Sequence, residues 1–390
     1  MIELFSSPAL WGLALLGTTL GITVGAIPGL TGMMLIALSL PLTFTMEPVS
    51  GLVLLVAMYV GAVSGGLISA TLLRMPGTPA AVMTTLDGYP MASDGRPGRA
   101  LGLGVGASLV GGLVSWLALW QLSEPMADWS TKLGPFELFS LVMLALALLA
   151  GVGETTRARG LLAGGLGVFA AMPGMHPATG ELRWTFGLTE MNEGFRLIPV
   201  LIGMFAIGKI LEDVMGKETK VETVAGKDSA FISLGTWKKQ FINLLRSSGI
   251  GTLVGVLPGV GANIGSLAAY VSAKRASNSP EEFGKGSEEG IVASESANNA
   301  TVGGALIPLI ALGIPGSVIG AVLLGALIFH GLIPGPLLFR QNPEAVHAII
   351  GTVLVANVMM YLIMLCGARW IARLSTIPKK LLLPVLAFTF

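Results

Sequence analysis

The chain has 390 residues, of which 53% are hydrophobic and only 12% are charged, and its mean hydropathy is +0.79. Soluble domains carry about 25% charged residues, so this composition excludes an ordinary soluble domain and indicates a polytopic helical membrane protein. The net charge of +1 argues against a nucleic-acid partner, and the single Cys366 excludes an internal disulfide framework.

The apolar segments are continuous runs rather than the alternating segments of a membrane β-barrel. They cover residues 8–45, 49–73, 100–121, 136–151, 160–172, 197–215, 247–272, 291–330, 346–366 and 381–390. The first run has no basic flank and no small-residue cleavage site, so we interpret it as mature protein rather than as a signal peptide. As one helix it would reach about 57 Å, against a hydrocarbon core of about 30 Å, so a break inside it is predicted.

Two Pro-Gly breaks lie 230 residues apart in nearly the same sequence. Residues 21–32 read GITVGAIPGLTG, and residues 251–262 read GTLVGVLPGVGA. Proline removes a backbone donor and glycine relaxes φ, so a helix is expected to break at each pair. The freed backbone groups are tolerated at membrane depth only inside protein or beside a water-filled cavity. Each run is therefore predicted to form a hairpin of two short helices.

A second pair of breaks follows nearly the same spacing. Residues 65–66 are Gly-Gly and residues 76–79 are Pro-Gly-Thr-Pro, whereas residues 303–304 are Gly-Gly and residues 315–317 are Pro-Gly-Ser. These segments are offset by 238 to 239 residues. Two breaks in each half predict an internal repeat.

The basic residues predict how the two halves are oriented. Most of the 23 Lys and Arg residues lie in segments that the positive-inside rule places in the cytoplasm, namely residues 86–99, 153–159, 216–246, 273–290 and 367–380. The first hairpin then opens outward and the second inward, which is an inverted-topology repeat. The predicted fold is an all-α polytopic membrane protein with a first repeat at 1–215, a cytoplasmic linker at 216–246 and a second, inverted repeat at 247–390.

The residues at and just after the breaks are predicted to bind substrate. A helix that restarts after a break directs unpaired N–H groups and a positive dipole end toward the cavity, which suits a carboxylate. The predicted substrate-binding residues are Gly29, Thr31, Gly77, Thr78, Gly259, Asn263, Gly316 and Ser317. Two alternatives remain open: the breaks serve only helix packing, and each hydroxyl or amide satisfies its own backbone.

A polar cluster enters the apolar segment at 291–330. It contains Ser296 and the four predicted cation-coupling residues Glu295, Asn298, Asn299 and Thr301. An ionisable group in such a segment is costly and usually functional, and hard oxygen ligands suit Na⁺, whereas Glu295 alone would suit a proton. We predict that the cluster binds the coupling cation. The alternative is an interfacial helix start, in which Ser294 and Glu295 cap and charge the first turn.

Other polar residues carry weaker signals. Arg74 either extends to the lipid headgroups or pairs with a substrate carboxylate. Asp87 is interpreted as a turn residue. The three histidines have no metal-ligand spacing, and neither a metal site nor a resident cofactor is predicted.

Longer strings carry a resemblance to a known family. Residues 59–95 read YVGAVSGGLISATLLRMPGTPAAVMTTLDGYPMASDG, and residues 295–339 read ESANNATVGGALIPLIALGIPGSVIGAVLLGALIFHGLIPGPLLF. Together with both Gly-rich breaks they resemble the large membrane subunit, TctA, of tripartite tricarboxylate transporters. The resemblance implies a multi-pass carrier of the bacterial inner membrane that takes up di- and tricarboxylates or related organic anions with a cation gradient. It also implies a periplasmic substrate-binding protein and a small membrane subunit as partners.

The chain departs from the family pattern at two points. Position 74 is Arg where the family usually has Asn, so substrate choice or local pairing is expected to differ. The second half has fewer residues after its last break than the first, and terminal helices are therefore expected to be missing relative to the family.

Two other function classes compete with a carrier. An intramembrane enzyme is disfavoured because the sequence has no HExxH motif, no GxSxG elbow and no paired aspartates within helices. An organic-anion channel or uncoupled facilitator has the same helical composition, but the chain lacks a charged ring and a repeated filter string. The repeated breaks favour alternating access.

Overall fold

The computed structural model describes residues 7–152, 157–176, 179–215, 224 and 228–374. The first half begins with α1 (Pro8–Ala26), α2 (Gly32–Thr43), α3 (Pro48–Leu73), a 3₁₀ turn (Pro79–Ala81) and α4 (Val82–Ser93). It continues with α5 (Pro97–Ser130), α6 (Pro135–Val152) and α7 (Arg157–Ala170). The apolar segment predicted from residue 381 lies outside the described residues.

Short elements connect the two halves. The strands β1 (Gly174–Met175) and β2 (Leu182–Arg183) form an antiparallel hairpin in which Gly174 pairs with Arg183. A 3₁₀ turn (Thr189–Met191) and α8 (Leu197–Leu201) follow, and a π-helical stretch (Ile202–Ile207) joins α8 to α9 (Gly208–Met215).

The second half contains α10 (Leu234–Val256), α11 (Gly261–Ala276), a 3₁₀ turn (Pro280–Glu282) and α12 (Glu288–Leu312). It ends with α13 (Val318–Phe329), α14 (Pro336–Gln341) and α15 (Pro343–Leu374). Helix α10 begins inside the segment predicted as a linker. Ser233 caps this helix by accepting a hydrogen bond from the Thr236 N–H at 3.2 Å, which explains why it starts there.

All four predicted helix breaks are present. They lie between α1 and α2, between α3 and α4, between α10 and α11, and between α12 and α13. Gly29, Gly259 and Gly313 adopt φ values of 93°, 75° and 71°, which L side chains rarely tolerate. The breaks after α1 and α10 contain the Pro-Gly pairs that the sequence indicates. Helix α3 ends at left-handed Arg74 and α12 at left-handed Gly313, each two residues before the predicted proline.

The two halves repeat the same close packing between helices. In the first half α1 packs on α3, where Gly25 lies against the carbonyl of Ala62. In the second half α10 packs on α12, where Gly255 lies against the carbonyl of Thr301. Residues of α1 and α10 correspond with an offset of 230, and residues of α3 and α12 correspond with an offset of 239. Glycine permits this backbone approach because it has no Cβ.

Helices α3 and α12 form the centre of the protein. Every residue from 51 to 73 and from 290 to 311 is buried, so these helices are covered on all faces. Helix α5 joins the halves by crossing α12, where Gly111 meets the backbone of Ser296 and Gly303 meets that of Ser115. By length and apolar composition α1, α3, α5 and residues 343–368 of α15 are candidate membrane spans. The predicted all-α polytopic membrane fold with broken, repeated helices is confirmed.

Candidate functional site

A cavity of about 350 Å³ lies where the four breaks meet. Of the residues predicted to bind substrate, five line this cavity, namely Thr31, Thr78, Gly259, Asn263 and Ser317. Asn298 and Thr301 of the predicted cation cluster also line it. The breaks in both repeats thus bring together residues that are up to 286 positions apart in the chain. Their roles as ligands stay predictions.

The remaining predicted glycines lie behind the cavity wall. Gly77 packs against the carbonyl of Gly25, and Gly316 packs against that of Gly255, where an added Cβ would come within 2.7 Å of the oxygen. Gly29 turns the chain between α1 and α2. These three glycines let the break segments approach neighbouring helices, which is the packing alternative raised by the sequence.

Two hydroxyl groups at the cavity also cap helices. The Thr31 hydroxyl accepts a hydrogen bond from the Met34 N–H at 3.2 Å, and the Ser317 hydroxyl accepts one from the Gly320 N–H at 3.1 Å. The alternative in which hydroxyls satisfy their own backbone is therefore correct for both residues. The Thr31 oxygen still has a second lone pair, whereas the Ser317 hydroxyl also forms a hydrogen bond with the Tyr59 hydroxyl.

The cavity wall carries no formally charged side chain among the described residues that line it. Its polar groups are hydroxyls, amides and the backbone at the starts of α2, α11 and α13 and of the 3₁₀ turn before α4. Helix N-terminal ends carry a partial positive charge and unpaired N–H groups. The cavity therefore favours an anion without holding a fixed cation.

The polar cluster of α12 lies partly at the cavity and partly behind it. Asn298 and Thr301 line the cavity, whereas Glu295 and Asn299 are fully buried and do not line it. Asn298 nevertheless contacts the Glu295 carboxyl, one turn away on the same helix. That the cluster binds the coupling cation stays a prediction.

Glu295 and Asn299 belong to a buried hydrogen-bond network that joins α3, α4, α5 and α12. The hydroxyls of Thr84 and Ser108 both donate to the Glu295 carboxyl, the latter at 3.2 Å. Asn299 Nδ2 donates to Ser108 Oγ at 2.7 Å, and Ser64 Oγ donates to Asn299 Oδ1 at 2.5 Å. The network satisfies its polar groups with hydroxyls and amides.

The alternative of an interfacial helix start at Ser294 and Glu295 is wrong. Helix α12 begins at Glu288, and Ser287 caps it by accepting a hydrogen bond from the Gly290 N–H at 3.2 Å. Ser294 and Glu295 lie nearly two turns further on and are fully buried. They neither cap the helix nor face solvent.

Asp87 is a residue whose role the sequence analysis missed. It lies inside α4, is fully buried, and accepts hydrogen bonds from the Tyr270 hydroxyl and from three backbone N–H groups just before α12. The interpretation as a turn residue is therefore wrong. A carboxylate in the middle of a helix in a membrane protein was the available signal.

Tyr59 and Arg74 complete the surroundings of the cavity. Tyr59 lines it and forms a hydrogen bond of 3.1 Å with the Ser317 hydroxyl. Arg74 is exposed and follows the last residue of α3 in a left-handed conformation, with its guanidinium 5.5 Å from the centre of the Tyr89 ring. Arg74 does not line the cavity, so its cation–π contact with Tyr89 is not part of the candidate substrate site.

A family model matches residues 12–390 and is described as the tripartite tricarboxylate transporter TctA family. The chain belongs to this family. It is accordingly a subunit of a tripartite tricarboxylate transporter and a multi-pass membrane protein, and the family is not one of enzymes. Membership also implies the two other components of such a transporter.

Two relatives come from Agrobacterium vitis. An uncharacterized 52.8 kDa protein in the TAR-I ttuC' 3' region is 33% identical over 372 residues, which cover 95% of this chain and 74% of the relative. An uncharacterized protein in the TAR-II ttuC' 3' region is 38% identical over 136 residues, which cover 35% of this chain and 56% of that relative. No solved structure matches the chain.

Proposed function

We propose that this chain carries di- or tricarboxylates, or related organic anions, into bacteria across the inner membrane by cation-coupled secondary transport. The observation that carries the proposal is the cavity in which helix starts from both repeats surround an uncharged, largely apolar space. Helix N-terminal ends at discontinuous membrane helices are an arrangement that binds anionic groups of substrates.

The absence of charge on the described lining residues supports coupling to a cation. Moving a multivalent anion from water into an apolar space is costly unless a charge compensates it. Helix ends provide only partial charges, so a co-transported Na⁺ or H⁺ is the simplest source of compensation. No resident cofactor is needed for this process.

The repeat supports transport by alternating access. Each half supplies a hairpin and a broken central helix to the same cavity, and the two halves are interleaved because α5 crosses α12. Movement of one repeat against the other would open the cavity to alternate sides of the membrane. A periplasmic binding protein would deliver the substrate, and the small membrane subunit would complete the carrier.

Transport assays in proteoliposomes test this function. The chain is reconstituted with the small membrane subunit and the binding protein of its own system, and uptake of radiolabelled citrate and succinate is measured with imposed Na⁺ or pH gradients. We expect saturable uptake that stops when the gradient is dissipated. Conductance without coupling to either gradient would instead identify an anion channel or an uncoupled facilitator.

A further inference from the structure

Two pairs of cavity residues occupy equivalent positions in the repeats. Tyr59 corresponds to Asn298, and Thr78 corresponds to Ser317, because both pairs have the offset of 239 that relates α3 to α12. All four side chains line the cavity. By the repeat, Asn298 and Thr78 are therefore the counterparts of the hydrogen-bonded pair Tyr59 and Ser317.

In the first pair, Tyr59 and Ser317, the two side chains form a hydrogen bond with each other. The Tyr59 hydroxyl and the Ser317 hydroxyl are 3.1 Å apart, and Ser317 also accepts the capping hydrogen bond from Gly320. Both side chains are thus satisfied without a ligand.

In the second pair, Asn298 and Thr78, one polar atom of each side chain lacks a partner. Asn298 Oδ1 and Thr78 Oγ1 are buried atoms with no hydrogen-bond partner among the residues that the structure describes. The orientation of the Asn298 amide is fixed, because its Nδ2 donates to the Val63 carbonyl at 3.4 Å and lies beside the Glu295 carboxyl. Asn298 itself is fully buried. Buried polar atoms usually have partners. Among the described buried side-chain atoms without a partner, only these two belong to residues that line the cavity, so this pair points to a ligand.

The chemistry of the pair selects that ligand. An amide oxygen is only an acceptor, so it binds a cation or a hydrogen-bond donor. Neither an amide nor an alcohol takes up a proton at neutral pH, and divalent cations are usually held by carboxylates, which this wall lacks. A monovalent hard cation remains, for which neutral oxygen atoms are suitable ligands.

We infer that Asn298 Oδ1 and Thr78 Oγ1 hold one Na⁺ ion beside the substrate. This inference rests on the proposed transport function and identifies the place of its coupling ion. Thr301 also lines the cavity, and its hydroxyl donates its hydrogen atom to the backbone carbonyl of Asn298 at 2.6 Å, so the Thr301 oxygen remains an acceptor that can serve as a further ligand. The substrate carboxylate supplies the negative charge that these neutral ligands lack.

The asymmetry between the repeats limits the number of ions. The Tyr59–Ser317 contact fills the position where an exact repeat would create a second cation site. The cavity therefore binds one Na⁺ at this pair of positions rather than two. The Glu295 carboxyl contacts the Asn298 side chain but does not line the cavity, so it influences the ion electrostatically and is not a direct ligand.

Thermal unfolding with Na⁺ as the probe tests the site without knowledge of the substrate. The complex of the chain with its small membrane subunit is heated in NaCl or in choline chloride at equal ionic strength. We expect Na⁺ to raise the Tm of the wild type. Thr78→Val and Asn298→Ala should each require a Na⁺ concentration about tenfold higher for half of this effect, as expected for loss of one ion contact.

A substitution that keeps the oxygen atom separates an ion ligand from a packing residue. Thr78→Ser retains the hydroxyl group and removes only a methyl group, so the half-effective Na⁺ concentration should stay close to that of the wild type, in contrast to Thr78→Val. Tyr59→Phe is the matched control, because it removes the equivalent polar group of the other repeat and should leave the Na⁺ response unchanged.

Three results would overturn the inference: no Na⁺-specific stabilisation of the wild type, an equal Na⁺ response in all variants, or a loss of response in Tyr59→Phe as large as in Asn298→Ala. Gradient-driven uptake of citrate or succinate that persists in such a case would leave the transport function intact and place its ion elsewhere. Na⁺ binding with the predicted variant pattern but without any uptake would instead refute the transport function and retain the ion site.

Discussion

Replacing Asp87 with alanine should destabilise the junction between α4, α11 and α12. One oxygen of the Asp87 carboxylate accepts the backbone N–H groups of Gly284, Gly286 and Ser287 at 2.7, 3.0 and 2.8 Å. The other oxygen accepts the Tyr270 hydroxyl at 2.8 Å. This single side chain from the first half therefore fixes the loop that leads into the central helix of the second half.

The magnitude follows from which donors can reach water after the substitution. Gly284 is exposed and Gly286 is half-buried, so their N–H groups can be hydrated. Ser287 and Tyr270 are only 3% and 6% exposed, and each would lose its partner inside the protein. An unsatisfied buried donor costs about 1–3 kcal/mol, so the expected loss in the free energy of unfolding is about 2–6 kcal/mol.

The conservative variant should show a smaller effect. Asp87→Asn retains a carbonyl oxygen for the three N–H groups but replaces charge-assisted hydrogen bonds with neutral ones, so we expect a loss of about 1–2 kcal/mol. Asp94→Ala is the control, because Asp94 follows the same helix with a side chain that is 63% exposed, and its contact to Arg96 is long at 3.9 Å.

The assay combines unfolding and hydrogen exchange. Unfolding of the purified protein in detergent, monitored by intrinsic tryptophan fluorescence, ranks the three variants. Hydrogen exchange should accelerate at residues 284–290 in Asp87→Ala and should stay at the wild-type rate there in Asp94→Ala. Equal destabilisation by Asp87→Ala and Asp94→Ala, or unchanged exchange in this loop, would refute the reasoning.

Three further predictions concern packing, the buried carboxyl and the orientation of the repeats. Gly25→Ala should lower the free energy of unfolding by about 1–3 kcal/mol in the same assay, because the added Cβ would lie 2.9 Å from the carbonyl carbon of Ala62 in α3. Gly12→Ala in the same helix is the control and should be neutral, because its added Cβ would have no atom within 4 Å. Glu295→Gln should remove the pH dependence of uptake, because this carboxyl is the ionisable group of the buried network. It should change the half-saturating Na⁺ concentration less than Asn298→Ala does, because Glu295 contacts Asn298 but does not line the cavity; a Na⁺ effect as large as that of Asn298→Ala would contradict this. Single cysteines are introduced at the exposed positions 45 and 280 after the native cysteine has been replaced. They should react with impermeant reagents from opposite sides of the membrane. Labelling of both from the same side would refute the inverted-repeat interpretation.

The positions of the helix breaks follow from the sequence alone. Proline cannot donate to a helix, and glycine adopts the left-handed φ seen at Gly29 and Gly259, so these properties act locally and need no knowledge of the fold. Composition likewise determined the membrane class, because a chain in which only 12% of the residues are charged has too few of them to cover the surface of a soluble domain. The repeated spacing then predicted that the residues after the breaks would lie near one another.

Only the tertiary structure decided which polar side chains share an environment. The sequence places Glu295, Asn298 and Asn299 within five positions, but neighbouring helices determine that Asn298 faces the cavity while the other two join hydroxyls of α3, α4 and α5. The partners of Asp87 are separated from it by more than 180 positions. Such partners are set by how distant segments pack, and a polar side chain's role depends on whether that packing satisfies it or leaves it facing an open space.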